Sequence, residues 1–578
     1  MRNARVCRRT FVKGLASSGA AAALGLWRTP AYAGNAPAGW TTIAGTDFDL
    51  RVGETPTNLT GHPRLAITVN GSIPAPTLRW KEGDTVTVRV ANTLREGASI
   101  HWHGIVLPAN MDGVPGLSFH GIRPGETFTY RFKVRQAGTY WYHSHSGFQE
   151  QQGLYGALVI EPREREPFTY DREHVVMLTD WTDESPEHIF AKLKKRSDYY
   201  NFHQRTIGDF VRDVRSRGLA ATLADRKAWG EMRMNPTDLA DVSGHTYTYL
   251  MNGTAPAGNW TALFKPGERV RLRFINGSAM SYFDVRIPGL TMTVVAADGQ
   301  YVHPTTVDEL RIATAETFDV LVQPSGQEAF TIFAQSNDRT GYAAGTLAVR
   351  EGLQAAVPEL GPRPTLGMAS MPHGSHGGVG HEAATAQQKA ADPHAGHTIA
   401  PDGGTQRHPA SEQGNPLVDM QTTMPVSGLD DPGVGLRNNG RRVLTYADLK
   451  STFADPDGRD PYRTIELHLT GHMERFAWSF DGIKFADARP MRLTHGERLR
   501  IVLVNDTMMA HPIHLHGMWS DLEDDDGQFL VRKHTVDMPP GTKRSYRVTA
   551  DALGRWAYHC HLMFHMEAGM FREVRVEE

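Results

Sequence analysis

Ten of the 27 histidines fall in four short windows: His101-Trp102-His103-Gly104, His143-Ser144-His145, His511-Pro512-Ile513-His514-Leu515-His516-Gly517, and His559-Cys560-His561 with His565. One His-x-His alone reads equally well as a solvated strand face. Four of them, one wrapped around a cysteine, point to metal ligation, although imidazole suits Cu, Zn, Fe and Ni alike. The cysteine narrows the choice. Of the two cysteines, Cys7 and Cys560, only Cys560 stands among histidines, and Met570 follows His565 by five residues. Two His, one Cys and a weak axial Met make a blue-copper ligand set, which assigns His511, Cys560, His565 and Met570 to one ion. A structural zinc site would want closed tetrahedral ligation, usually with more thiolates.

Such residues need strands to carry them, and an internal repeat supplies them. Asn70-Gly71, Asn252-Gly253 and Asp481-Gly482 each precede a Gly-acid pair by 13 to 15 residues: Gly83-Asp84, Gly267-Glu268 and Gly496-Glu497. Each pair opens a strand-like alternation, as in Val86-Thr87-Val88-Arg89-Val90, and an asparagine (Asn92, Asn276, Asn505) follows nine residues after the glycine. This predicts three copies of one β-sandwich. Nine and eleven residues past the asparagine stand His101 and His103 in the first copy, His514 and His516 in the third, but Val285 and Ile287 in the second. Gly138 and Gly554 likewise each stand five residues before a His-x-His. Copies one and three therefore supply four imidazoles each to a cluster at their interface. The second site belongs to copy three alone: where it has His511, Cys560 and His565, copy one has Ala98, Ser144 and Gln149. In an extended His559-Cys560-His561, alternate side chains point opposite ways, so Cys560 faces its own domain and its neighbours face the cluster.

The 578 residues exceed one core, and 57 Gly, 34 Pro and many short Val/Thr/Arg alternations indicate an all-β protein. A net charge of −3 argues against a nucleic-acid partner, and no apolar run is long enough to span a membrane. Residues 1–33 read as an export signal: Arg8-Arg9-Thr10-Phe11-Val12-Lys13 resembles the twin-arginine motif, and Ala31-Tyr32-Ala33 offers a cleavage site. Cys560 would then be the sole cysteine of the exported chain, with no disulfide to form. The expected division is domain 1 at 34–165, domain 2 at 166–352 with a helical insertion at about 184–240, a linker at 353–440, and domain 3 at 441–578. The linker holds Met368, Met371, His373, His376, His381, His394, His397, His408, Met420 and Met424. Thioether and imidazole together suit accessory Cu(I), and an unstructured linker of drifted composition is the other reading. Glu523-Asp524-Asp525-Asp526 reads either as an attractor for a cation or as a solvated hairpin tip.

The four histidine motifs resemble those of the multicopper oxidases across nearly the whole chain. Within that family, Tyr249-Leu250-Met251-Asn252-Gly253, Gly471-His472-Met473-Glu474-Arg475 and the Met/His-rich segment are similar to the periplasmic copper-resistance oxidases. The resemblance implies three cupredoxin-like Greek-key domains and four copper ions. His101 and His514 would bind the type 2 ion; His103, His143, His145, His516, His559 and His561 would bind the type 3 pair. The implied reaction couples one-electron oxidations, of Cu(I) in copper resistance or of phenols and aromatic amines as in laccases, to reduction of O2 to water. Non-catalytic copper sequestration is the alternative of another class. Protons for O2 reduction need a nearby acid, for which Asp112 is a candidate, alongside its reading as an ordinary turn residue. Many bacterial relatives carry a glutamate directly after the second type 1 histidine. Here Met566 stands there, and Glu567 comes one later, on the other side if the chain is extended.

Overall fold

The computed structural model describes residues 40–367 and 405–578. The expected export signal with Cys7, and Met368, Met371, His373, His376, His381, His394 and His397, lie outside the described residues.

Six β-sheets carry the described chain. The first pair joins a four-stranded sheet (Arg64–Val69, Asp47–Thr57, Thr85–Asn92, Thr127–Lys133) with a five-stranded one (Thr42–Ala44, Ala75–Lys81, Tyr155–Glu161, Gly138–His143, His101–His103). The second joins Thr248–Met251, Arg172–Trp181, Val270–Asn276, Thr317–Val322, Met292–Ala297 and Gln300–Val307 with Trp260–Leu263, Tyr342–Ala348, Ala329–Ser336, Phe283–Arg286 and Glu309–Ile312. The third joins Ala477–Phe480, Arg463–His472, Arg498–Asn505, Lys543–Thr549, Ser520–Glu523 and Phe529–Lys533 with Met491–Thr494, Phe571–Glu577, Gly554–Cys560, His511–Leu515 and Thr535–Met538. The second and third pairs match strand for strand. The first lacks one hairpin, and its five-stranded sheet has Thr42–Ala44 added at one edge in place of the strand missing from the other. Alternation is visible in Thr85–Asn92, where every second residue from Val86 is buried, as a strand with one face on a core requires.

The repeated residues have local reasons. Asn70-Gly71, Asn252-Gly253 and Asp481-Gly482 take positive φ at both positions, the backbone of a tight two-residue turn that asparagine, aspartate and glycine tolerate. Asn92, Asn276 and Asn505 are buried switch points with one bonding pattern. Each side-chain oxygen accepts from the N–H two residues on, and each amide donates to a carbonyl four or five residues on and to one some 30 residues on. The loop entering the next strand is thereby pinned, and that strand carries His101, Val285 or His514.

Three helices, Pro186–Lys195, Ile207–Arg217 and Leu219–Glu231, precede the strand Thr248–Met251. The first opens on Pro186, whose fixed φ suits a first turn, and the second on a Thr206/Asp209 capping box. Phe190 of the first stacks on Phe564 at 6.0 Å, and Lys194 donates to the Phe476 carbonyl, so this insertion lies against the third sandwich. From 405 to 440 the chain has little regular structure yet is pinned, through Val426 beside Thr542 and Asp419 accepting from the Met473 N–H. Among the described residues no helix is long and apolar enough to cross a membrane.

Candidate metal centre

Antiparallel register sets His101 opposite His143 in the first sandwich and His514 opposite His559 in the third; the matching pair in the second is Val285 opposite Ala334. Because residues two apart share a strand face, each His-x-His projects both rings to one side. The two sets interleave: His101 stacks on His516 at 3.9 Å between centroids, and His103 on His514 at 3.8 Å. Ring nitrogens gather within 4.8 Å in trios that include His103, His143 and His561; His145, His516 and His559; and His101, His514 and His516. All eight sequence-selected histidines therefore meet.

Their chemistry suits a metal. Nε2 of His101, His143, His145 and His514, and both ring nitrogens of His561, are buried without a hydrogen-bond partner. Unpaired buried donors and acceptors are costly, and several unpaired imidazoles in one place are what a ligand shell looks like without its ions. Burial, reinforced by neighbouring imidazoles, holds His103, His143, His145, His514, His516 and His561 well below the ordinary histidine range, and burial takes His559 down to about 4. Neutral imidazole is the ligating form.

Outer groups orient the rings. Asp112, buried, reaches both sandwiches: Oδ2 accepts from His516 Nδ1 at 2.9 Å, and Oδ1 lies 3.3 Å from His101 Nδ1, which also bonds the Asp112 carbonyl at 2.8 Å. Glu150 Oε2 lies 2.7 Å from His143 Nδ1, and burial, with the nearby Asp180 charge, pushes its carboxyl well above the usual range. His534 Nδ1 lies 3.2 Å from His103 Nε2. Glu150 and His534 escaped the sequence reading, since neither lies in a repeated motif; adjacency of Glu150 to the Gln149 position is the only sequence signal.

The second site forms around Cys560. His511 Nδ1 is 3.5 Å and His565 Nδ1 3.9 Å from the Cys560 sulfur, and the two nitrogens are 3.1 Å apart. The Met570 carbonyl accepts from the Cys560 N–H at 3.2 Å, which brings Met570, fully buried, alongside. The far nitrogens are held by Thr507 Oγ1 (His511 Nε2, 2.8 Å) and by Asp241 Oδ2 (His565 Nε2, 2.8 Å). Asp241 follows the helical insertion and was not foreseen; its carboxyl is pushed up to about 7 by burial. Burial also pushes the Cys560 thiol well up, a preference that a bound metal reverses by stabilising thiolate. Where the first sandwich has Ser144 and Gln149, these two hydrogen-bond to each other at 2.9 Å, so the equivalent space is filled.

Three expectations change. Met563–Glu567 is a helical turn rather than extended chain, and Glu567 is exposed with no bond to a cluster imidazole, so the carboxylates touching the cluster are Asp112 and Glu150. Glu523 is buried between Arg500 and Arg547 at 2.7 Å each, which leaves Asp524, Asp525 and Asp526 as a hairpin tip and not a four-carboxylate attractor. Met420 packs against the core whereas Met424 is 52% exposed, so the two do not share an environment.

Comparison with known proteins agrees with this geometry. Multicopper oxidase family profiles match residues 51–165, 172–352 and 458–578. The chain is 66% identical to copper resistance protein A of Pseudomonas syringae pv. tomato and 65% identical to that of Escherichia coli, each over 99% of this chain and 100% of the relative. It is 30% identical to a multicopper oxidase of Mycobacterium tuberculosis over 87% of this chain and 82% of that one. Its fold is similar to that of Fet3p, a multicopper oxidase (TM-score 0.63, 19% identity, 93% of this chain and 91% of that one), and of a laccase from Botrytis aclada (TM-score 0.59, 21% identity, 93% and 88%). With two sandwiches contributing four imidazoles each and a cysteine site wired between two of them, the chain belongs to the multicopper oxidase family.

Proposed function

We propose that this enzyme oxidises Cu(I) to Cu(II) in copper resistance and reduces O2 to water, in the periplasm after twin-arginine export. One structural observation favours a small ionic reductant. His511, Cys560, His565 and Met570 are fully buried, and both outer imidazole nitrogens are engaged, so a bulky reductant has no direct approach to a ligand ring. Whole-length identity to copper resistance protein A supports the physiological role.

In this reading His511, Cys560, His565 and Met570 hold the type 1 copper. His101 and His514 hold type 2; His103, His143 and His561 hold one type 3 ion, and His145, His516 and His559 the other. Copper bound at these places supplies one-electron uptake at the cysteine site and four-electron delivery to O2 at the cluster. The chain's own part is to connect, orient and exclude water. Cys560 is joined through peptide bonds to His559 and His561, a short covalent path from one site to the other. Asp112 fixes the Nδ1 protons of His101 and His516 and stands as the proton carrier nearest the cluster, with Glu150 behind His143. The domain division at 34–165, 166–352 and 441–578, with a linker at 353–440, is supported by the three pairs of sheets, the second and third of which correspond strand for strand.

A laccase-like second reading has its own support in a cavity of about 600 Å³ that includes Tyr282, Tyr446, Met508 and Ala510, the last adjoining His511. Oxygen uptake by copper-loaded protein decides between them. Cu(I) should be turned over with the higher kcat/KM, and Cys560→Ser should abolish both activities and the visible thiolate band. Higher efficiency with a phenol would transfer the assignment to the laccase reading.

A further inference from the structure

Four side chains outside both sites converge at the six-stranded sheet of the third sandwich. His468 comes from Arg463–His472, Asp506 follows the end of Arg498–Asn505, and His408 and Glu412 come from the segment entering this domain, Glu412 closing the turn Ala410–Glu412. The side chains of Glu412, Asp506 and His468 are at most 1% exposed, and that of His408 is 12% exposed. His468 Nδ1 lies 2.7 Å from Asp506 Oδ2 and 3.6 Å from Glu412 Oε1. His408 Nδ1 lies 3.1 Å from Glu412 Oε2 and 3.3 Å from Asp506 Oδ2. A tetragonal ion with bonds of about 2.0 Å sets adjacent donors roughly 2.8 Å apart and opposed ones about 4 Å apart, so these atoms, 2.7 to 3.6 Å from one another, stand at ligand spacing.

The far atoms are committed outward. His408 Nε2 donates to the Thr422 carbonyl at 2.9 Å, and the Thr422 N–H donates to Asp506 Oδ1 at 2.7 Å. His468 Nε2 lies 3.3 Å from Glu466 Oε1. With the outer nitrogens committed, each Nδ1 faces the carboxylates and donates a proton to them: burial works against the charge, yet Asp506 and Glu412 win, raising His408 to about 9 and His468 above the ordinary range, and a metal ion would take the place of those protons. Gln421 Nε2 holds Glu412 Oε2 at 2.8 Å, while Glu412 Oε1, fully buried and facing His468, accepts no hydrogen bond.

We propose that His408, Glu412, His468 and Asp506 form a further metal site that takes a divalent copper ion. Two carboxylates with two imidazoles suit Cu(II) better than Cu(I), which prefers sulfur, and among divalent first-row ions such a set binds copper most tightly. Asp506 is followed by Thr507, whose hydroxyl holds His511, so the ion would sit one residue from the support of a Cys560-site ligand. The assignment stands on these donors and does not require that Cu(I) be the reductant.

Copper-loaded protein, equilibrated with excess Cu(II) and dialysed, should retain one Cu(II) more than His408→Gln or Glu412→Gln treated alike. Its paramagnetic resonance should carry a second two-nitrogen signal, over and above that of the copper on His101 and His514, which both variants lack, with affinity at least about tenfold lower in each. Neither residue touches the Cys560 site, so an unchanged visible band in the variants reports an intact fold. Equal copper counts and identical spectra in all three proteins would overturn the site and leave an ion-pair network filled by protons. Should a variant misfold, the wild-type protein alone still decides, because no two-nitrogen Cu(II) signal beyond the resident coppers also overturns it.

Discussion

Asp112 touches imidazoles from two sandwiches, which no turn residue needs to do. Asp112→Asn keeps the shape and one acceptor oxygen but removes the carboxylate. Copper content should stay near wild type, because in the proposed assignment the eight histidines and not Asp112 hold the metal, while kcat falls by about 10²-fold with either reductant, the usual loss for a displaced proton carrier. Oxygen uptake alongside copper analysis measures this. An unchanged kcat would return Asp112 to a purely orienting role. Glu567, exposed at the end of its helical turn, should tolerate replacement by Gln with little change in kcat.

At the scale of elements, the switch asparagines are one structural device used three times, with His-x-His pairs loaded on only two. Asn505→Ala would leave the buried carbonyls of Met509 and Met538 without the amide, at about 1–3 kcal/mol. Asn276→Ala removes the amide from the Ser281 and Ile312 carbonyls in the same way, Ser281 keeping the Thr314 hydroxyl as Met509 keeps that of Thr507. Thermal unfolding should therefore show similar losses. Copper stoichiometry should separate them, since the loop after Asn505 leads to His511 and His514, whereas that after Asn276 leads to Val285. Equal copper loss in both would mean that the asparagines act on global stability alone. The segment directly after the helical insertion adds what no repeat unit has, the Asp241 carboxylate on His565 Nε2.

For the whole molecule, sandwiches one and two are tied by Glu173, which meets Arg79 at 2.6 Å and Arg273 at 2.8 Å. Burial works to raise its carboxyl, yet the two guanidiniums win and hold it at about 2. A depressed carboxylate stabilises the fold above its unfolded pKa, and that contribution is lost as pH falls from about 4.5 towards 2. Glu173→Gln should thus lower the melting temperature at pH 7, the difference from wild type shrinking towards pH 2; a constant difference would rule out the ionic origin. The Met/His-rich segment belongs to the same scale. Deletion of 368–404, which spares the pinned His408 and Glu412, should lower kcat/KM for Cu(I) and leave phenol oxidation equal or higher. Loss of phenol turnover alone would favour the laccase reading.

The sequence by itself determined whatever is carried by spacing. Three repeat registers selected all eight clustered histidines, and the cysteine set between two histidines selected its partners, because strand period and pairing register convert sequence offset directly into side-chain direction. The same offsets left Val285 and Ile287 out of the cluster. Only the tertiary structure decided which imidazoles share a trio, that Glu150, His534 and Asp241 stand behind ligands, that Glu523 is spent on Arg500 and Arg547, and that His408 and His468 meet two carboxylates. Those contacts join residues with no fixed offset between them, brought together by packing of one sandwich, insertion or linker against another, and no local period encodes that distance.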